Sequence, residues 1–319
     1  MMSARTPLAA PYGRSAGDRA ESPFHAGVRK WTPPAGVPLP NAMTCDVEDY
    51  FQVSAFEHLV PRSRWSELEC RLPRNVDRIL QLFSDAGVRG TFFTLGWVAK
   101  HFPSVVRRIA DEGHEIASHG MQHIRVWTQT PEAFREDVAA TKKLLEDVSG
   151  VAVRGYRAAS WSIDERTPWA HRILSEAGYD YSSSLYPIAH DHYGVPSGPT
   201  EPFYVEPAGL LEIPATTAPF AGRNLPAAGG GYFRLLPLWL SLRLLARARR
   251  VYERPVVFYF HPWELDPEQP RVPGADSRAR IRHYLNLRKF EGRLRVLLRK
   301  LAWDRLDRVF CAGGTGVEP

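Results

Sequence analysis

The chain has 319 residues, 44% of them hydrophobic and 24% charged, close to the average of soluble globular proteins. This excludes a largely disordered, collagen-like or disulfide-scaffold protein, and three cysteines, Cys45, Cys70 and Cys311, make no disulfide framework. The formal net charge of +6 is uneven: twelve Lys/Arg face four acids within residues 271–310, five face two within residues 1–40, and the body between is mildly acidic.

Residues 1–40 are rich in Pro, Gly, Ala, Ser and Arg without periodicity and read as a disordered tail. They show no apolar h-region of a signal peptide. The most apolar stretch, 235–246, is broken by Pro237 and Arg243 and falls short of the about 20 residues that span a bilayer. A soluble, cytoplasmic protein is expected.

Order is expected from residue 41. Residues 41–46 read as a strand ending in acids. Residues 75–86 read as a helix, with Val76, Ile79, Leu80 and Phe83 on one face and Gly87 as its stop. Residues 90–95 form a buried strand, 104–112 a helix behind Pro103, and 114–118 a strand ending at His119. Thr130 opens a helix to about 148; residues 153–157 form a strand and 167–177 a helix. Strands alternate with helices, and acids, histidines and an arginine stand at the C-terminal ends of strands. That is the layout of an α/β protein, a (β/α) barrel with its chemistry at the C-terminal face.

Beyond residue 180 the rhythm loosens. Residues 233–250 read as a helix, 255–260 as a buried strand ending at His261, and 276–309 as one or two basic helices. The strand at 255–260 favours one domain over 41–310, with 181–310 as its elaborated C-terminal part and 311–319 as a flexible end. No nucleic-acid motif accompanies the basic segment, which reads as a solvated helix face. The helix ending in Arg247, Arg249 and Arg250 has two readings, a buried wall of the barrel or an interfacial helix meeting the inner membrane.

The chemistry-bearing residues come in sequence order. Asp46-Val-Glu48-Asp49 places three carboxylates in four residues at a strand end, a crowding that a cation or a base role would relieve. His119 and His123, four apart, can share a metal on one face of a helical turn. Two histidines and a carboxylate suit a hydrolytic zinc or similar divalent ion. Arg157 can hold a carboxylate ionised, and His261 is a candidate general acid. Trp97, Trp127, Trp161 and Trp263 stand near these residues and can face a ligand or belong to the core.

With these residues in this order, the sequence resembles the polysaccharide deacetylases of carbohydrate esterase family 4. The five matching motifs are Thr44-Cys-Asp-Val-Glu-Asp49, Ser118-His-Gly-Met-Gln-His123, Arg157-Ala-Ala-Ser-Trp161, Tyr179-Asp-Tyr-Ser-Ser183 and Phe258-Tyr-Phe-His261. It is similar in particular to the exopolysaccharide-cluster branch associated with exosortase systems. The hallmarks are Asp46-Val-Glu-Asp-Tyr-Phe51, Thr91-Phe-Phe-Thr-Leu-Gly-Trp97, Gly113-His-Glu-Ile-Ala-Ser-His119, Gly229-Gly-Gly-Tyr-Phe233 and His261-Pro-Trp-Glu264.

The resemblance implies a deformed (β/α) barrel, a divalent metal, zinc first among candidates, and removal of N-acetyl groups from an N-acetylated polysaccharide. By the resemblance, Asp46 is the general base, Arg157 orients it and His261 is the general acid. His119 and His123 are metal ligands, with Asp49 as the third and Glu48 as its alternative, because the family's adjacent aspartates are separated here. Tyr50, Trp161 and Trp263 are expected at the substrate, with a backbone N–H near Tyr50 stabilising the oxyanion. Ala159 stands where the family's third motif has proline. The alternatives are a same-fold hydrolase of non-sugar amides and an inactive carbohydrate-binding subunit. A paired-carboxylate glycosidase would leave both histidines without a role.

Overall fold

A computed structural model describes residues 27–311 except 35, 37, 191 and 192. The expected tail up to residue 26 and the end beyond residue 311 lie outside the described residues.

The first half is a regular alternation. It runs β1 (Val28–Lys30), β2 (Asn41–Val47), α1 (Leu72–Ala86), β3 (Thr91–Thr94), α2 (Gly96–His101), α3 (Pro103–Asp111), β4 (Glu115–Ser118), α4 (Pro131–Ser149), β5 (Gly155–Tyr156), α5 (Ala170–Glu176) and β6 (Tyr181–Ser182). The second half carries β7 (Phe203–Val205), β8 (Leu210–Glu212), the hairpin β9 (Thr217–Phe220) and β10 (Arg223–Pro226), α6 (Gly230–Leu235), α7 (Leu238–Tyr252) and β11 (Val257–Phe260). It closes with α8 (Ser277–Tyr284), α9 (Leu287–Lys300), β12 (Trp303–Asp304) and α10 (Leu306–Phe310).

All seven residues of β2 are buried, as befits a parallel strand covered on both faces. Strands β11, β2, β3, β4, β5, β6 and β8 run parallel in that spatial order. β7 and then β1 add antiparallel at the far edge, and β12 pairs with the start of β2. With helices packed around it, this sheet is a deformed (β/α) barrel. Because β11 pairs directly with β2, the ends of the two strands bring His261 beside Asp46 across more than two hundred residues.

Local signals account for the helices. α1 buries Leu72, Val76, Ile79, Leu80 and Phe83, the one-sided spacing of a surface helix, and ends at Gly87 with φ 64°. It begins three residues before the expected start, with a proline in its first turn. Thr130 caps α4 by accepting from the Ala133 N–H.

Three expectations change. Within the expected tail, Val28–Lys30 pairs with β7, and Trp31 is buried, donating from Nε1 to the Phe310 carbonyl at 2.9 Å. Composition missed this because one indole and three backbone pairs suffice to order a Pro/Gly-rich stretch. The expected helix over 233–250 is two helices, since Pro237 cannot continue α6. The segment expected as one or two basic helices is three, α8, α9 and α10, with β12 between the last two, while its basic face is solvated as expected: α9 buries Leu287, Phe290, Leu294, Leu297 and Leu298 and turns Arg288, Lys289, Arg299 and Lys300 outward.

Candidate active site

Asp46 sits near the end of β2, and Arg157 reaches it from the residue after β5. The guanidinium donates to Asp46 Oδ1 at 2.6 Å and to Thr44 Oγ1 at 2.9 Å. Its other donors reach the Ser183 carbonyl and hydroxyl at 3.1 and 3.0 Å, and it lies over the rings of Phe93 and Trp161. Every polar edge of this buried cation is therefore satisfied, as burial demands. Burial alone would raise the Asp46 carboxyl, but Arg157, with His119 and His261, holds it below its ordinary value. Asp46 is thus an oriented carboxylate with Oδ1 engaged by Arg157.

Just past β4, the chain turns sharply through Gly120 at φ 75° and His123 at φ 53°. The two histidines face each other with ring centroids 5.1 Å apart. This juxtaposition comes from a left-handed loop, so the helical-turn reading of their four-residue spacing is corrected. His119 Nδ1 lies 2.8 Å from the Arg157 carbonyl, which makes Nδ1 the protonated nitrogen and leaves the Nε2 lone pair for the site. Burial lowers the pKa of both histidines, keeping them neutral and able to ligate.

The carboxylate that joins them is Glu48. Its side chain, with His119 and His123, forms a buried group whose ligand atoms all lie within 4.8 Å of one another. Glu48 Oε2 is 3.0 Å from His123 Nε2 yet has no hydrogen-bond partner. Burial pushes this carboxyl up to about 7, the Asp46 and Glu264 charges adding to the rise while His261 and Trp263 oppose it.

Asp49, the residue expected as third ligand, turns the other way. Its Oδ1 accepts from the Tyr50 N–H at 2.8 Å, and its Oδ2 from the Arg71 and Leu72 N–H groups at 2.6 and 3.0 Å. It satisfies the first N–H groups of α1, so Glu48 takes the place in the cluster. The same contact commits the Tyr50 N–H to Asp49.

His261 is the most accessible group of the set, with a side chain 20% exposed. Its Nε2 lies 3.9 Å from Asp46 Oδ2 and 3.6 Å from Glu48 Oε1, so a proton-accepting and a proton-donating group flank one small space. Burial would lower its pKa, but a hydrogen bond to Glu264 and the charges of Glu48, Glu264 and Asp46 push it up to about 9.

Two residues outside the expected set complete this half of the site. Glu264 Oε2 accepts from the His261 backbone N–H at 3.0 Å and faces His261 Nδ1 at 3.2 Å. Arg234 donates to Glu264 Oε1 at 2.7 Å and to the carbonyls of Arg282, His283 and Leu285. Both are buried. The His-x-x-Glu spacing of residues 261–264 was the available sequence signal for Glu264; for Arg234, thirty residues away, there was none.

The expected substrate residues are largely internal. Tyr50 is buried beside Phe51. Trp161, held at φ 53°, packs on Tyr186 and Tyr259. Trp263 is stacked on both His261 and His283, at centroid distances of 5.2 and 4.0 Å. Trp161 lies against Arg157, and Trp263 against His261. Trp97 is core, packed on Phe51 and Trp65, while Trp127 is half-buried beneath Arg166.

The residues fit a divalent cation. Two neutral imidazoles, one with its tautomer fixed by a carbonyl, and one buried carboxylate with an unpartnered oxygen form an open three-donor set. The fold and this cluster together define a (β/α)-barrel protein with a two-histidine, one-carboxylate group that could hold a metal ion.

Comparison with known families specifies the class. The polysaccharide deacetylase model matches residues 67–182, and a domain of unknown function, DUF3473, matches residues 183–311. Residues 67–182 thus form a polysaccharide deacetylase domain. It is 28% identical over 110 residues to a peptidoglycan deacetylase of Helicobacter pylori, covering 34% of this chain and 36% of that protein. It is 32% identical over 94 residues to a peptidoglycan-N-acetylglucosamine deacetylase of Bacillus cereus, covering 29% and 34%. The chain thus spans about a third of the length of these curated relatives. A crystal structure from Mycobacterium smegmatis, assigned as a polysaccharide deacetylase, superposes over 92% of this chain and 99% of that one, with TM-score 0.56 and 21% identity.

Proposed function

We propose that the protein is a metal-dependent hydrolase that removes N-acetyl groups from amino sugars of a polysaccharide. The observation that carries this reading is the placement of Arg157-held Asp46 and Glu264-held His261 on either side of one space, next to the Glu48, His119 and His123 cluster.

Amide hydrolysis needs a base for the attacking water and an acid for the departing amine. Asp46 is the base: Arg157 keeps it ionised on Oδ1, so Oδ2 takes the proton of a water. His261 is the acid: its Nε2 proton goes to the amine nitrogen as the C–N bond breaks, releasing acetate and a free amino sugar. Glu48, His119 and His123 would hold the cation, zinc being the first choice for this donor set. When bound, the cation supplies Lewis acidity toward the acetyl carbonyl and the water.

The relatives named as peptidoglycan deacetylases support a polysaccharide substrate. A role in exopolysaccharide synthesis rests on the motifs shared with that branch, and the DUF3473 match is compatible with it. Among the described residues no helix is long and apolar enough to cross a membrane. Incubating zinc-loaded protein with N-acetylated oligosaccharides and following products by mass spectrometry tests the reaction. Loss of acetyl groups with matching acetate release is expected. No acetate from any N-acetylated glycan, alongside hydrolysis of simple amides, would refute the sugar assignment.

A further inference from the structure

The 40 residues from Ile213 to Tyr252 contain six arginines and no aspartate or glutamate. In the fold they form the β9–β10 hairpin, α6 and α7. α7 turns Ser241, Leu244, Leu245 and Ala248 inward. Its outer face is not polar in the usual way. Six large apolar side chains are exposed among the described residues, and four of them, Phe220, Leu235, Trp239 and Val251, lie on this hairpin and helix pair. Leu235 and Trp239 are 57% and 58% exposed, and Phe220 is 58% exposed.

These side chains are held on one surface. Arg247 Nε donates to the Pro219 carbonyl at 2.7 Å, pinning the hairpin tip, and with it Phe220, against the outside of α7. Arg243 lies over the Trp239 ring at 5.2 Å. Arg223, Arg243 and Arg250 are exposed around the apolar residues. Arg249, in contrast, is tied to Asn41 and the Leu39 carbonyl and belongs to the barrel wall. α6 starts beside Glu264, which holds His261, and leads directly into α7: a Cβ on Gly229 would meet the Tyr259 ring, and one on Gly230 the Glu264 carboxyl.

We propose that this face is a docking surface for an anionic phospholipid bilayer, which holds the active-site mouth beside the membrane. Apolar and aromatic side chains on the hairpin and the helix pair, accompanied by arginines and with no acid before Glu253 at the end of α7, match the headgroup boundary. The rings and Leu235 enter the acyl region, while the guanidinium groups meet phosphates. An isolated apolar patch would be neutral in its choice of partner; the charge makes the partner anionic. Each arginine at an anionic surface strengthens partitioning about fivefold, so three give about a hundredfold.

Vesicle flotation of the full chain tests this. Wild type is expected to float with vesicles containing phosphatidylglycerol, to stay behind with pure phosphatidylcholine, and to be released by salt. Arg223→Gln/Arg243→Gln/Arg250→Gln should weaken binding about a hundredfold. Phe220→Ser/Leu235→Ser/Trp239→Ser should abolish it, with the circular dichroism spectrum of wild type. If the apolar variant loses fold, the arginine variant, which changes only exposed charges, still reads the surface. Failure of wild type to float at low salt, or flotation unchanged in both variants, would overturn the proposal. So would retention by a soluble acidic polysaccharide through these residues without vesicle binding, which would assign the face to a glycan.

Discussion

Gly230→Ala isolates the buried His261–Glu264–Arg234 chain. In an ordinary helix this change stabilises by about 1 kcal/mol, because alanine restricts the unfolded chain more than glycine does. Here the backbone of Gly230 is unstrained, but an added Cβ would lie 1.8 Å from Glu264 Oε2 and 2.4 Å from its Cδ. Ordinary van der Waals separation requires the carboxylate to retreat by roughly 1.5 Å. The 3.2 Å contact to His261 Nδ1 then lies beyond hydrogen-bond range, and the 2.7 Å bond from Arg234 is strained or lost. Overpacking in this buried setting costs about 1–3 kcal/mol, reversing the usual sign. A catalytic group displaced by about 1 Å costs about 10²-fold in rate. Gly231→Ala is the internal control, since nothing lies within 4 Å of its added Cβ. Urea unfolding and initial rates of acetate release measure both effects. Gly230→Ala should lose stability and turnover, with the metal still bound, and Gly231→Ala should lose neither. A Gly230→Ala protein as stable as Gly231→Ala, with turnover within about threefold of wild type, would show that Glu264 does not hold His261 as described.

Further outcomes separate the roles of the other residues. Asp46→Asn should retain divalent metal by elemental analysis while turnover falls about 10²–10⁴-fold; metal loss with it would make Asp46 a ligand instead. Glu48→Gln should weaken metal binding more than about tenfold, whereas Asp49→Ala should bind metal normally and lose about 2 kcal/mol of stability as three N–H groups go unpaired; the reverse pattern would restore Asp49 as the ligand. A chain starting at Asn41 lacks β1 and Trp31 and should lose about 3 kcal/mol or more in urea unfolding, so an unchanged midpoint would make that segment dispensable. Burial, with Arg89 and Arg305, lowers the His114 pKa to about 3. Below about pH 6.5 the unfolded chain takes up a proton that the folded one refuses, so stability should fall as pH drops, by about 2 kcal/mol between pH 7 and pH 5. The His114→Gln difference between those two pH values should be smaller by that amount; an equal difference would mean His114 does not contribute.

The residue pattern alone carried the alternation of strands and helices, because one-sided apolar spacing with glycine stops and a threonine cap is local information. It also placed Asp46, His119, Arg157 and His261 at strand ends, since in parallel α/β folds that is where side chains converge. What it could not decide lies in the irregular backbone beyond those ends. Glu48 and Asp49 are adjacent acids of similar chemistry, and only the packing of α1 onto the loop claims Asp49 for its N-terminal N–H groups and leaves Glu48 free. His119 and His123 meet through two left-handed residues that spacing alone reads as a helical turn. Trp263 looks like a sugar platform in sequence, but folding stacks it against the imidazoles of His261 and His283. Arg234 and Glu264 belong to different elements, and their ion pair exists only because α6 packs against the end of β11. Long-range contacts of this kind depend on which chain ends the sheet brings together, a property of the whole fold that no local pattern of residues encodes.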